Sequence, residues 1–369
     1  MEGFGVQFAT LGVLGAGLIA VALGALFDSI NKKPDVAQSG AAEFVQKRNG
    51  EIRKVIILAL GTRGDVEPCL ALAAAAPRGV SALVCGPGDF APLAKRYGVM
   101  FRSCGVDRLE PTRAWAEAKT MRDFILHAAE PYSTKFAPIA SAYWQACREH
   151  ESEMIIASTF AVHFGVHMAE ALACPFWALK FAPETPSGQM PPFGEASWTR
   201  WPWNTSIVTK GRHWARLLAA FQATQAVDFS GKQNKFRNEV LELPDMTLEI
   251  LDRLGSKLKT LYAYSSIVAP RPTDWPAWTT ARALKCGRPS LLIPALQFYD
   301  QVGWAKALDV GGAGIHLQAE HADETSIQEA LSRLLDPTNG FEGKADAMRR
   351  DISQEDALER AWSLLRASS

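Results

Sequence analysis

At 369 residues the chain is long for one domain and suits two or three. Its 39 basic residues balance 39 acidic ones, so no net charge draws it to nucleic acid, and no nucleic-acid partner is expected. The six cysteines (69, 85, 104, 147, 174 and 286) stand apart with no C-x-x-C pair, which fits reduced cytosolic thiols better than a disulfide framework or a zinc site.

The N-terminus departs from that soluble composition. Gly5–Phe27 carries no charge and would span roughly 34 Å as a helix, enough for a bilayer core. Glu2 is the one charged side chain before it, while Lys32, Lys33, Lys47 and Arg48 follow, so the positive-inside bias puts the C-terminal side in the cytosol. A cleaved signal peptide wants a basic leader, and that is missing. Gly12, Ala16, Ala20 and Gly24 form a helix-packing seam or simply reflect an Ala/Gly-rich span. The expectation is a single-pass transmembrane anchor over 5–27 and a polar tether over 28–51, with the globular part facing the cytosol.

Val55–Leu60 is an aliphatic run that predicts a buried parallel strand. Gly61 and Gly64 predict a sharp turn with open space beside it, and Pro68 suits the first turn of a helix continuing through Cys69–Ala76. Strand, tight loop and helix make the first crossover of a doubly wound α/β domain, where such folds bind ligands. The loop lacks G-x-G-x-x-G, which weakens a dehydrogenase reading. Arg63-Gly64-Asp65 spells an adhesion tripeptide, but a buried strand end is a poor place for one.

The alternation continues down the chain. Strands are predicted at Val80–Cys85, Met100–Cys104, Met154–Ala157 and Phe176–Leu179, and helices at Asp89–Tyr97, 120–150 and Val162–Leu172. Such alternation argues a parallel sheet covered on both faces. His163, His167 and Glu170 share one helical face; apolar surroundings favour packed histidines over a metal site. The proline-rich stretch Phe181–Asn204 holds Trp198, Trp201 and Trp203. It either packs its indoles on the domain or forms the mouth for a hydrophobic acceptor. Asn204-Thr205-Ser206 is a glycosylation sequon, relevant only on a lumenal domain. Farther on, Ser290–Pro294 and Ala313–Leu317 read as strands, and Asp300–Leu308 and Thr325–Leu335 as helices. Gly311-Gly312-Ala313-Gly314 reads as the turn into a strand.

G-T-R-G-D-V-E-P at Gly61–Pro68, after an apolar strand, resembles the opening of the sterol glucosyltransferases and of their antibiotic-glycosylating relatives. Ala169–Pro175, Asn234–Arg237, Leu241–Pro244, Leu261–Ser265 and Pro270–Pro276 are similar to segments of the same family, so the resemblance covers nearly all of Ile52–Pro276. Thr279–Pro289 resembles the helix and turn after the family's H-H-G-G-A-G-T-T motif, and Asp300-Gln301 matches its acidic-Gln pair.

The resemblance implies a GT-B fold. An N-terminal acceptor-binding domain over 52–264 and a linker over 265–278 would lead into a donor-binding domain over 279–369. That last domain lacks its first strands and the His-Gly-rich loop that meets the diphosphate. The implied chemistry moves a hexose from a UDP-sugar, UDP-glucose above all, to the hydroxyl of a sterol or similar acceptor with inversion. No metal or other cofactor is expected. Asp65 would be the general base, Gly61, Arg63 and Gly64 its loop, and Trp198, Trp201 and Trp203 the acceptor wall. Thr279, Thr280, Asp300 and Gln301 would hold the donor sugar. Arg63, if close, would keep Asp65 ionised. Both carboxylates have a plainer use, Asp65 and Asp300 each as a helix cap. Two functions follow: a working glucosyltransferase, or a remnant that binds lipid or regulates an intact homologue.

Overall fold

A computed structural model describes residues 51–107, 134–182, 231–246, 258–265, 288–294 and 300–367. Six parallel strands form the main sheet, in the order β3-β2-β1-β4-β5-β6. Its elements in chain order are β1 (Lys54–Leu58), α1 (Arg63–Ala74), β2 (Ser81–Gly86), α2 (Ala91–Tyr97), β3 (Met100–Ser103), α3 (Phe136–Glu149), β4 (Met154–Ser158), α4 (Val162–Ala171), β5 (Phe176–Lys180), α5 (231–239) and β6 (Thr260–Tyr262).

The central strand is apolar throughout because both its faces are covered. Ile56, Leu58 and Leu60 pack on one side with Ile139 and Tyr143 of α3 and Phe164 and Met168 of α4. Val55, Ile57 and Ala59 pack on the other with Val66 and Leu70 of α1 and Leu93 of α2. Phe136, Tyr143 and Phe164 form an aromatic seam between α3 and α4, with Phe136 stacked on Phe164 at 4.9 Å and Tyr143 edge-on to it at 5.5 Å. Cys69, Cys85, Cys104, Cys147 and Cys174 are buried free thiols. Burial pushes the Cys104 thiol up to about 11, which leaves it protonated and unreactive at neutral pH.

A second, two-stranded sheet pairs β7 (Ser290–Leu292) with β8 (Gly314–His316) in parallel. The helix α6 (Asp300–Val310) lies between them in sequence. The turn expected at Gly311–Gly314 is there, with Gly312 at φ +68°. Helices α7 (Glu324–Leu335), α8 (Phe341–Ser353) and α9 (Ala357–Arg366) follow. Asp323 starts α7 by accepting from the Ser326 amide at 2.8 Å, while Ser326 accepts from the Asp323 amide. The last helix, α9, returns to the main sheet. Trp362 and Leu365 are buried in the core around β1 and α1, and the Trp362 indole N–H donates to the Leu72 carbonyl at 3.0 Å.

One local expectation is revised. Helix α1 begins at Arg63, well before Cys69, so Pro68 lies inside it rather than in its first turn. There the ring removes the bond its amide would make to the Gly64 carbonyl. Among the described residues no helix is long and apolar enough to cross a membrane. The span expected over 5–27 lies outside them, as does the tether up to residue 50.

Candidate active site at the switch point of the sheet

The chain leaves β1 toward β2 and β3, then crosses to β4 on β1's other flank. Loops after β1 and β4 therefore diverge, and a crevice opens at their carboxyl ends. Residues 59–65 form one lip. The other begins at Ser158, followed by a short helical turn over Thr159–Ala161.

Gly61 and Asp65 fit each other on the first lip. Gly61 has φ +120°, and a Cβ there would lie 2.4 Å from Asp65 Oδ2, so only glycine fits. Asp65 is the third residue of α1 and its carboxylate folds back. The Thr62 amide donates to Oδ2 at 2.7 Å and the Thr62 hydroxyl to the same oxygen at 3.0 Å. This is a capping box, so the plainer of the two uses of Asp65 is realised. The same bonds hold the carboxylate at the carboxyl end of β1, where the fold places ligands. Gly64 is helical, and a Cβ on it would meet only Thr62 Oγ1, at 3.7 Å. The turn thus depends on Gly61, and Gly64 is not needed for it.

Arg63 reaches along α1 to Glu67. Its Nε donates to Glu67 Oε2 at 2.9 Å, one helical turn along α1, and its Nη2 to Oε1 at 3.4 Å. That carboxylate raises the guanidinium pKa, chiefly through the hydrogen bond. The Tyr97 hydroxyl of α2 donates to Glu67 Oε1 at 3.0 Å. The expected help of Arg63 in ionising Asp65 is replaced by an ion pair with Glu67, although R-x-x-x-E was visible in the sequence as an i,i+4 pair.

Two residues near the loop were not foreseen. Ser158 Oγ accepts from the Leu60 amide at 3.0 Å, and the Tyr143 hydroxyl donates to the Ala59 carbonyl at 2.8 Å. Ser158 carried a faint signal, as the first hydroxyl after the apolar run of β4. Tyr143, within the helix expected over 120–150, carried no such signal. Of the remaining expected site residues, Asp300 and Gln301 open α6. Trp198, Trp201, Trp203, Thr279 and Thr280 lie outside the described residues.

The face of α4 bearing His167 and Glu170 has another occupant than metal. Buried Arg237 from α5 donates through Nη1 to Glu170 Oε2 at 2.6 Å and through Nη2 to Oε1 at 3.2 Å. The same Nη1 meets His167 Nδ1 at 3.0 Å. Guanidinium has no lone pair to give, so His167 Nδ1 accepts, and this neutral imidazole carries its proton on Nε2. Burial, then the Arg237 charge, pushes the His167 pKa down to about 3. Among the described residues no group of three or more His, Cys, Asp or Glu side chains is placed to hold a metal ion.

Comparison with known proteins defines the class first. Residues 55–191, which include the whole lip at Gly61–Asp65, match the glycosyltransferase family 28 N-terminal domain. A glycosyltransferase from Streptomyces sp. SF2575 superposes with a TM-score of 0.51 at 12% identity, covering 85% of this chain and 99% of that one. The fold is thus that of the GT-B glycosyltransferases. In sequence the chain is 26% identical over 253 residues to a sterol 3-beta-glucosyltransferase of Leptosphaeria maculans, covering 66% of this chain and 16% of that protein. It is 27% identical over 251 residues to one from Komagataella phaffii, covering 65% and 19%. The chain is thus similar to sterol glucosyltransferases over about two thirds of its own length, and the match spans less than a fifth of the length of these relatives.

Proposed function

We propose that the chain transfers a hexose, glucose in the first instance, from a UDP-sugar to the hydroxyl of a sterol or similar hydrophobic alcohol. The observation that carries the reading is Asp65, a carboxylate fixed by Thr62 at the switch point of the sheet. In this reading an acceptor hydroxyl enters the crevice, Asp65 takes its proton, and the oxygen attacks the anomeric carbon from the face opposite the departing UDP. One bond to carbon forms as another breaks, so the configuration inverts. The base needs hydrogen-bond reach of the hydroxyl, which the half-buried Asp65 at a strand end allows. Asp300 and Gln301, at the start of α6, are proposed to hold the sugar hydroxyls, with Thr279 and Thr280 beside them. Trp198, Trp201 and Trp203 are proposed to line the acceptor side. Similarity to the named fungal sterol glucosyltransferases supports glucose and sterol as the pair to try first.

We further propose that residues 5–27 anchor the chain in a membrane with the catalytic part on the cytosolic side, which would place the crevice beside its lipid substrate. Retention in the pellet after alkaline carbonate extraction is the expected result, and release into the supernatant would count against it.

The function is tested by incubating the full chain with labelled UDP-glucose and sterol-containing liposomes, then extracting lipid. A labelled steryl glycoside is expected. A folded protein that yields no glycolipid and shows no calorimetric heat with UDP-glucose would leave the reading without support and favour a lipid-binding remnant.

A further inference from the structure

Ladder pairing between β1 and β4 ends at Leu58 opposite Ala157, yet the two strands stay joined for one step more. The joint is a side chain. Ser158, fully buried, accepts the Leu60 amide on its Oγ at 3.0 Å. On the other flank the Ala59 amide donates to the Cys85 carbonyl at 2.8 Å, while the Ala59 carbonyl takes the buried Tyr143 hydroxyl. Immediately beyond lie Gly61, in its left-handed turn, and Thr62, whose amide fixes Asp65.

Ser158 also stands at the N-cap of the turn Thr159–Ala161, with extended backbone at ψ 160°. A serine there ordinarily accepts from an amide of its own helix. This one makes no such bond. Its hydroxyl is committed across the crevice to the peptide that precedes the Gly61 turn, a use that stabilises the β1 loop rather than its own turn.

We propose that Ser158 is a positioning residue for Asp65: its hydroxyl fixes the Leu60 peptide, the fixed peptide sets the Gly61 turn, and the turn presents Thr62 to the carboxylate. The inference rests on Asp65 as the base of the transfer reaction, and it links the two lips so that β4 determines where the carboxylate of the β1 loop points. Leu60 is almost fully buried, so loss of the serine would leave its amide without partner and without water.

The test compares the full chain with Ser158→Ala by amide hydrogen exchange and by transfer kinetics. Protection at Leu60 and Thr62 is expected to fall about tenfold or more, the equilibrium cost of one orphaned buried donor, while Leu70 in the middle of α1 keeps its protection. The kcat is expected to fall about tenfold with little change in KM for UDP-glucose, as for loss of alignment rather than of binding. Unchanged Thr62 protection would overturn the proposal, as would an unchanged kcat in an active enzyme. If the wild-type chain transfers no sugar while Thr62 still loosens in Ser158→Ala, the positioning stands and the transferase reading falls. Should Ser158→Ala fail to fold, Ser158→Cys keeps nearly the same volume with only a weak acceptor and carries the same readout.

Discussion

At Gly61 the chain meets two steric demands, a positive φ and a carboxylate oxygen where a side chain would begin. Gly61→Ala should therefore destabilise the protein by about 1–3 kcal/mol, the usual cost of forcing an unfavourable backbone state. Gly64→Ala, in open helical backbone, should be neutral or stabilise by up to about 1 kcal/mol. Urea denaturation of the two variants separates them, and equal losses would contradict the different roles assigned to the two glycines. His167 gives a pH prediction. Its folded pKa of about 3 lies below the unfolded value of about 6.5, so the unfolded chain takes up the proton first. Stability from this group is complete above about pH 6.5 and declines by about 1.4 kcal/mol per pH unit as the solution is acidified toward the folded pKa. His167→Asn, which keeps an acceptor for Arg237, should flatten that slope between pH 6.5 and 5. Asp65 was legible as a carboxylate of the strand-end loop with two uses open to it, base and helix cap, of which the capping box is seen. What sequence left open was its partner, since Arg63 had carboxylates at both i+2 and i+4, and helical geometry selected Glu67.

The strands were the most legible elements. Val55–Leu60 and Met154–Ala157 are aliphatic runs because both faces of β1 and β4 are buried, and the observed strands lie within two residues of those bounds. Pro68 reads as an entry signal and sets the expected start of α1 too late, while Thr62-x-x-Asp65, a capping box, marks the true start. No periodicity could show that α5 is clasped to α4 by Arg237. That guanidinium is almost wholly buried, and besides Glu170 and His167 it donates Nε to the Pro244 carbonyl at 2.7 Å. Removing the carboxylate partner leaves a buried charge uncompensated, so Glu170→Ala should cost about 3 kcal/mol or more. Loss of α5 amide protection before that of β1 is the accompanying signature in hydrogen exchange. A loss under 1 kcal/mol, on the order of a surface pair, would show that the clasp contributes little.

On the scale of the whole molecule, the C-terminal helix is part of the core that carries the candidate base. Trp362 reaches Leu72 across 290 residues of sequence, a distance over which local pattern carries no information. The docking of α9 on α1 was accordingly not legible, although the amphipathic pattern of α9 is local. Trp362→Ala should destabilise the chain by about 3–5 kcal/mol, as for a buried aromatic, and should lower the protection of α1 along with that of α9. The fold class and the first crossover could be inferred from alternating strands and helices and the Gly61–Pro68 motif. The closure by α9 and the joint at Ser158 depend on tertiary contacts. The central claim remains chemical, that the Asp65 carboxylate accepts the acceptor's proton, and the rate of Asp65→Asn in the steryl glycoside assay tests it most directly. Asparagine keeps an oxygen for the Thr62 amide, so the cap and the melting temperature should be nearly preserved. The account predicts that kcat falls by about 10²–10⁴-fold, the usual worth of a general base. A variant that transfers sugar at the wild-type rate would contradict it and leave Asp65 as a helix cap alone.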